Sequence, residues 1–185
     1  MVWRIDRKFR ILHIGCGSSQ MSMQLYDMGY KNITNVDYSQ VLIENSQSLY
    51  PNMKRVYDDI RSLATIPSCS FDVVLEKATI EALLVKEKSP WSSSEEALAT
   101  VESIFKAVAR VLTSDGVFVS ISFIQPYFRV PALLRVRDWS VTVKDFGEFF
   151  QYFIYVMQRG KGAPREMIER YAHIAPQWSR PLLNK

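Results

Sequence analysis

The sequence predicts an α/β fold: a doubly wound, Rossmann-like and mainly parallel sheet with an antiparallel hairpin at its C-terminal end. Two observations predict it. Short apolar runs alternate with helix-like runs up to about residue 122, and two strand-like runs then follow without a long helix between them. The strand-like runs are 10–14, 33–36, 54–57, 71–75, 117–122, 141–143 and 153–157, and the helix-like runs are 21–28, 39–49 and 95–112.

Local signals mark the ends of several of these elements. Gly29 is placed to end the first helix as a C-terminal cap, and Ser39 to begin the second as an N-cap. The second helix must stop before Pro51. Asp115-Gly116 predicts a turn into the fifth strand. The third helix presents one apolar face, made of Leu98, Val101, Ile104, Phe105, Val108 and Val111.

Bulk composition predicts one soluble domain. The chain has 185 residues, 48% of them hydrophobic, a net charge of +4 and no apolar run long enough to cross a bilayer. Cys16 and Cys69 form neither a CxxC pair nor a metal-binding spacing, so we expect free thiols and no metal. We expect a domain over residues 1–160 and a tail over 161–185, with one short helix at 165–172.

A glycine-rich turn follows the first predicted strand directly. Gly15-Cys16-Gly17 lets the backbone turn sharply and approach a ligand, and the helix that follows offers unpaired N–H groups. Asp37 ends the second strand, where a carboxylate can accept hydrogen bonds from ribose hydroxyls. A helix cap is the alternative role for Asp37. Tyr38 beside it is placed to pack on a ribose or adenine, with plain packing as the alternative.

The ligand predicted at this turn is S-adenosylmethionine rather than a dinucleotide. A pyrophosphate site requires a third glycine, and Gln20 occupies that position in this sequence. S-adenosylmethionine carries no phosphate and needs an acid after the third strand for the adenine amino group. Asp59 is the predicted acid, with Ile60 against the adenine face; the alternative is that Asp58 and Asp59 are solvated loop charges.

Two acids follow the fourth strand, where strand ends form the ligand crevice. Glu76-Lys77 and the nearby Glu81 are placed to orient the methionine part of the cofactor or a substrate amine. By position, Glu76 and Glu81 are the candidate catalytic groups. A surface ion pair is the alternative for Glu76 and Lys77. His13, within the first strand, is more typical of a packed residue.

Four segments carry motifs: Ile14-Gly15-Cys16-Gly17-Ser18-Ser19, Val36-Asp37-Tyr38-Ser39, the run 70–79 from Ser70 to Thr79, and Arg110-Val111-Leu112. Together they resemble the seven-strand S-adenosylmethionine methyltransferases. The runs 89–91, 139–141 and 153–157 make the chain similar, more narrowly, to the group that contains the lysine methyltransferases of elongation factor 1-alpha and of citrate synthase. The resemblance covers roughly residues 10–160.

The resemblance implies a set of cofactor-binding residues and also shows departures. Ala78 and Glu81 stand where the group usually has Gly and Asp, and His13 stands where most of the superfamily has an acid. Relatives carry a segment before the first strand that folds over the cofactor. This chain begins about ten residues before the Gly turn, so we expect that lid to be missing. The implied cofactor-binding residues are Gly15, Cys16, Gly17, Asp37, Tyr38, Asp59, Ile60, Glu76 and Lys77.

The activity implied is methylation of a lysine in a folded protein, with elongation factor 1-alpha as the first candidate acceptor and citrate synthase as the second. A small-molecule methyltransferase and a non-catalytic binding module remain alternatives. Trp91, Phe128 and Trp139 are expected near the rim of the crevice, with buried packing as the alternative for each. We expect a monomer without a membrane or nucleic-acid partner, because no basic stripe is present. The expected compartment is the cytoplasm, with mitochondria as the alternative.

Overall fold

A single sheet organises the computed structural model, which describes residues 5–87, 93–136 and 139–171, without the side chains of residues 46–49. Its strands are β1 (Ile11–Ile14), β2 (Ile33–Asp37), β3 (Lys54–Tyr57), β4 (Phe71–Lys77), β5 (Leu112–Ser122), β6 (Trp139–Phe146) and β7 (Tyr152–Arg159). The described helices are α1 (Met21–Asp27), α2 (Gln40–Leu49), α3 (Thr79–Leu83), α4 (Glu95–Val111), α5 (Pro126–Leu133) and α6 (Arg165–Tyr171).

The strand order confirms the predicted architecture. The seven strands lie in the order β3-β2-β1-β4-β5-β7-β6. Strands β1 to β5 are parallel, whereas β7 runs antiparallel to both β5 and β6. Strands β1 to β5 therefore all end at one edge, the carboxyl end of the sheet. Because β7 is reversed, the turn between β6 and β7 lies at that same end.

Alternate residues of the strands pack on opposite faces of the sheet. Leu12 and Ile14 of β1 belong to the larger core, which also takes in the predicted apolar face of α4. Ile11 belongs to a smaller core on the other face, against which Met21 and Leu25 of α1 pack. Among the residues described, no helix is both long and apolar enough to span a membrane.

The predicted turn at Asp115-Gly116 is wrong. The chain passes directly from α4 into β5, and Asp115 and Gly116 both belong to that strand. The ladder with β4 shifts register between Phe71 and Val73, which pair with Leu112 and Val117. The residues between Leu112 and Val117 are thus absorbed as an irregularity in the strand, a solution that a local turn signal does not reveal.

Two short helices, α3 and α5, follow strand ends where we predicted none. The short helix expected at 165–172 is confirmed as α6, while residues 172–185 of the predicted tail lie outside the described residues. Trp139 is misplaced by our prediction: it pairs with Arg159 at the far end of β6 from the β6–β7 turn, and its side chain is buried. Trp139 therefore packs in the core and does not line the crevice.

Ala78, where the resembling group usually has Gly, adopts a left-handed conformation with φ 57°. We expect Ala78→Gly to raise the free energy of unfolding by about 0.5–1 kcal/mol, because relief of left-handed strain exceeds the entropy that a new glycine adds to the unfolded chain. Ala82→Gly, on an exposed turn of the same helix, is the control and should lower the free energy of unfolding by about 1 kcal/mol. Urea unfolding of both variants measures this, and a loss of stability in Ala78→Gly would contradict it.

Candidate functional site

The Gly turn after β1 is shaped by two left-handed glycines that face different surroundings. Gly15 has φ +60°, and a Cβ there would lie 2.1 Å from Cγ2 of Thr79. The Thr79 hydroxyl, at the start of α3, donates to the carbonyl oxygen of Gly15 at 3.1 Å. Gly17 has φ +52°, but a Cβ there would meet nothing within 4 Å. The turn is therefore closed against α3 at Gly15 and open at Gly17.

Asp37 fixes this turn to the end of β2. Its buried carboxylate accepts the Gly17 N–H at 2.8 Å through Oδ2 and the Ser39 N–H at 2.9 Å through Oδ1. Each carboxylate oxygen can accept a further hydrogen bond. Both roles considered from the sequence are thus compatible: Asp37 organises the backbone and keeps acceptor capacity. Tyr38, next to it, is exposed.

The structure separates the two adjacent acids after β3. Asp58 is buried and accepts four hydrogen bonds inside its loop, from the N–H groups of Asp59, Ala64 and Thr65 and from the Thr65 hydroxyl. Burial alone would raise the pKa of Asp58, but these hydrogen bonds lower it below its usual value. Asp58 is therefore a loop-organising residue, contrary to the solvated-charge alternative.

Asp59, the acid predicted to meet the adenine, is partly exposed. It forms an ion pair with Arg61 at 2.5 Å, and the hydrogen bonds from Arg61 hold its pKa below the usual value. Ile60, beside it, is buried in the larger core. Asp59 thus stands as an ionised carboxylate just beyond the end of β3, and its adenine contact stays a prediction.

A buried polar cluster lies at the carboxyl ends of β4 and β5. Glu76 is fully buried and accepts hydrogen bonds from the Ser120 hydroxyl and, at 2.9 Å, from the Thr79 N–H. Burial raises the pKa of Glu76, and Glu81 raises it further while Arg129 acts in the opposite direction. The surface ion pair considered for Glu76 and Lys77 is wrong, since Lys77 is exposed and Glu76 is not.

Glu81, on α3, forms the second half of this cluster with Arg129 of α5. The two side chains form an ion pair and are only 8% and 5% exposed, and Glu81 also accepts from the Ser122 hydroxyl. Oε2 of Glu81 and Nε of Arg129 are buried and have no hydrogen-bond partner among the described residues. Both residues line a cavity of about 370 Å³ whose apolar walls include Leu84, Phe123 and Phe128. Phe128 thus lies where we predicted it.

Arg129 was missed by the sequence analysis. It lies one turn into α5, among apolar residues that include Val130 and Leu133, and a charged residue is almost never fully buried unless it is paired. That contrast was the available signal. This signal could not identify Glu81 as the partner of Arg129, because the two residues are 48 positions apart in the sequence.

His13 lies beneath the Gly turn in a second buried polar group. The Ser22 hydroxyl donates to Oδ1 of Asn35 at 2.6 Å, so Nδ1 of His13 must donate to Ser22, also at 2.6 Å. Nε2 of His13 is buried without a partner among the described residues. Burial lowers the pKa of His13 to about 4. His13 is therefore a packed neutral imidazole, as the sequence predicted.

This pKa predicts a pH dependence of stability. Between about pH 6.5 and 4 the unfolded chain binds a proton at His13 that the folded chain does not, so stability falls as the pH falls. We expect a loss of about 2 kcal/mol in the free energy of unfolding between pH 7 and pH 5. His13→Asn, which keeps a donor for Ser22, should flatten this profile in urea titrations. An equally steep profile in His13→Asn would assign the loss to other groups.

The structure brings the predicted site residues of β1 to β4 to one end of the sheet. The Gly turn lies between Asp37 and Glu76, at the β1/β4 position where the strand order reverses. Cys16 is a buried free thiol in the turn, and burial raises its pKa to about 11, which disfavours the thiolate. Trp91 lies outside the described residues.

The fold defines a doubly wound α/β domain, the class in which ligands bind in the crevice where the strand order reverses. Residues 12–120 match the family model described as a methyltransferase domain, and the chain belongs to that family.

Named relatives are similar over most of this chain. EEF1A lysine methyltransferase 4 of Bos taurus is 39% identical over 82% of the chain, and that of Mus musculus 36% identical over 93%. The eEF1A lysine and N-terminal methyltransferase of Homo sapiens is 37% identical over 96% of the chain, which corresponds to 27% of that protein. The chain spans 61% of the bovine and 69% of the mouse protein.

Solved structures agree on the fold. A methyltransferase from Methanosarcina mazei, described as SAM-dependent, has a TM-score of 0.63 and 17% identity, over 85% of this chain and 95% of that one. TrmN from Thermus thermophilus has a TM-score of 0.62 and 12% identity, over 82% of this chain and 44% of that one. At such low identity these likenesses establish the architecture alone.

Proposed function

We propose that this chain is the catalytic core of an S-adenosylmethionine-dependent protein-lysine methyltransferase whose acceptor is elongation factor 1-alpha. The observation that carries this proposal is the identity of 36–39%, over 82–93% of the chain, to the two EEF1A lysine methyltransferase 4 proteins. The buried Glu81 beside an apolar cavity also supports the proposal, because the cavity can hold the stem of a lysine and the carboxylate can accept a hydrogen from its amine.

The residues at the Gly turn fit S-adenosylmethionine. The open space at Gly17 lets a ligand approach the backbone, and Asp37 has acceptor capacity left for ribose hydroxyls. Asp59 is an acceptor of the kind that an adenine amino group requires. Gln20 stands where a pyrophosphate site requires a third glycine, which favours a ligand without phosphate. When bound, S-adenosylmethionine supplies an electrophilic methyl group on its sulfonium.

The cavity beside Glu81 is the proposed entrance for the acceptor lysine. Its apolar walls, Leu84, Phe123 and Phe128, suit the methylene stem of the side chain. A lysine amine must lose a proton before it can act as a nucleophile, and desolvation in such a cavity lowers its pKa. Oε2 of Glu81, buried and unpartnered, is available to accept an amine hydrogen.

The other members of the cluster position this acceptor group. Arg129 holds Oε1 of Glu81 through their buried ion pair, and this fixes the position of Oε2. Glu76 already accepts from Ser120 and Thr79, so we assign it a positioning role rather than contact with the amine. The protein then contributes alignment, exclusion of water and a proton acceptor to the transfer.

Cofactor binding tests the first half of this proposal. Isothermal titration should detect S-adenosylmethionine or its demethylated product and give no signal with NAD. We expect Asp37→Ala to weaken binding by about 1–3 kcal/mol, because ligand hydroxyls lose their buried acceptor. Asp72→Ala, which removes an acid paired with Arg10 before β1, is the control and should not change affinity. Unchanged affinity in Asp37→Ala would overturn the ribose assignment.

We also propose that the protein acts in the cytoplasm. Cys16 and Cys69 are both free, which suits a reducing compartment. Fractionation of cells that express a tagged chain tests this, and recovery in mitochondria would favour the alternative.

A further inference from the structure

Five aromatic side chains stand exposed together at the carboxyl end of the sheet. Phe146, Phe149, Phe150 and Tyr152 surround the β6–β7 turn, and Phe123 follows the end of β5. We call this set the aromatic rim. Isolated exposed apolar residues are ordinary, but a contiguous group of this size marks an interaction surface.

Local contacts hold three rings of the rim, those of Phe146, Phe150 and Tyr152, and the backbone of the turn. The ring centroids of Phe146 and Tyr152 lie 5.5 Å apart, and those of Phe150 and Tyr152 lie 5.0 Å apart. Gln151 donates to Asp145 at 2.7 Å across the turn. Gly147 has φ +116°, and a Cβ there would lie 2.1 Å from the carbonyl oxygen of Phe150. A surface held in this way loses little conformational entropy when a partner binds.

The rim and the cavity proposed for the acceptor lysine lie at the same end of the sheet and share Phe123. Ser122 pairs with Phe153, so Phe123 and Tyr152 are the next residues along two neighbouring strands. Phe123 also lines the cavity that contains Glu81. Phe123 is therefore common to the cavity and the rim, while strand alternation places Tyr152 on the sheet face opposite Phe153 and the larger core.

We propose that the aromatic rim is the docking surface for the folded protein whose lysine enters the cavity. This inference rests on the proposed function. The rim extends beyond the cavity, so it can contact parts of a protein acceptor that a free lysine or short peptide lacks. Exposed aromatic anchors of this kind dominate protein interfaces. The exposed Glu148, within the turn, favours an apolar partner surface that carries a cationic residue. Asp145 adds little to this preference, since it already accepts from Gln151 and lies next to the exposed Lys144.

The test compares a folded acceptor with a peptide. The Phe149→Ser/Phe150→Ser double variant removes side chains that are 102% and 58% exposed, so the fold should be unaffected. Met28→Ser removes a side chain that is 61% exposed just after the end of α1, and is the matched control. Recombinant elongation factor 1-alpha is the folded acceptor, and a short lysine peptide from it is the other.

We expect the double variant to raise both KM and the directly measured dissociation constant Kd for the folded acceptor by about tenfold or more. Its kcat, its S-adenosylmethionine affinity and its activity on the peptide should match the wild type, and Met28→Ser should change none of these. Unchanged KM and binding of the folded acceptor in the double variant would overturn the docking inference alone. So would equal losses on peptide and protein, or a wild-type dimer that the double variant dissociates. A wild-type chain that neither binds nor methylates the acceptor would overturn the proposed function and this inference with it.

Discussion

Glu81→Gln is expected to reduce methyl transfer by about 100-fold or more, the usual contribution of a positioned proton acceptor. The glutamine keeps the size of the side chain but cannot take a proton from the acceptor amine. S-adenosylmethionine affinity should be retained, because Glu81 lines the cavity proposed for the acceptor and not the Gly turn. Single-turnover measurements with saturating cofactor measure the effect directly.

The same substitution leaves Arg129 buried without its counter-charge, so we expect a loss of about 3–5 kcal/mol in the free energy of unfolding. The Glu81→Gln/Arg129→Met double variant removes both charges and should recover most of that stability. It should not recover turnover. Turnover that returned together with stability in the double variant would make the role of Glu81 structural.

Gly15→Ala and Gly17→Ala are expected to fail in different ways. Gly15→Ala should destabilise the fold by about 3 kcal/mol or more, because left-handed strain adds to a clash with Thr79, whose side chain and backbone are both hydrogen-bonded. Gly17→Ala meets no protein atom and should lose only about 1 kcal/mol of stability. If the open space at Gly17 receives the ligand, however, this variant should bind S-adenosylmethionine at least about tenfold more weakly.

Thermal unfolding and calorimetry on the two glycine variants separate these effects. The expected pattern is an unstable Gly15→Ala and a folded Gly17→Ala with poor cofactor affinity. A Gly17→Ala chain that binds S-adenosylmethionine as the wild type does would show that the ligand lies elsewhere.

Much of the cofactor side of the site could be predicted from the sequence because it depends on local signals and one topological rule. The turn at Gly15 and Gly17 and the acids Asp37 and Asp59 each follow a strand. Parallel strands connected through helices end at the same edge, so residues that follow them converge without any knowledge of packing. Which of two adjacent acids is buried, Asp58 or Asp59, depends on loop hydrogen bonds that no spacing reveals.

The acceptor side could not be predicted in the same way. Arg129 meets Glu81 only because α3 and α5 both follow strand ends at the same edge of the sheet, and this long-range contact has no periodic signature. Trp139 was misplaced because an apolar strand pattern does not say which end of β6 faces the crevice. The exposed rings around Phe149 have a composition that would equally suit a buried strand, and only the reversed direction of β7 places them at the same end of the sheet as the cavity.

Incubation of the wild-type chain with labelled S-adenosylmethionine and purified elongation factor 1-alpha, followed by mass spectrometry of the acceptor, tests the central claim most directly. We expect added methyl groups on a lysine of the folded acceptor, at a rate lower by about 100-fold or more with Glu81→Gln. Label in a small metabolite or in nucleic acid, with none in a protein, would contradict the account, as would bound cofactor without any transfer to this acceptor.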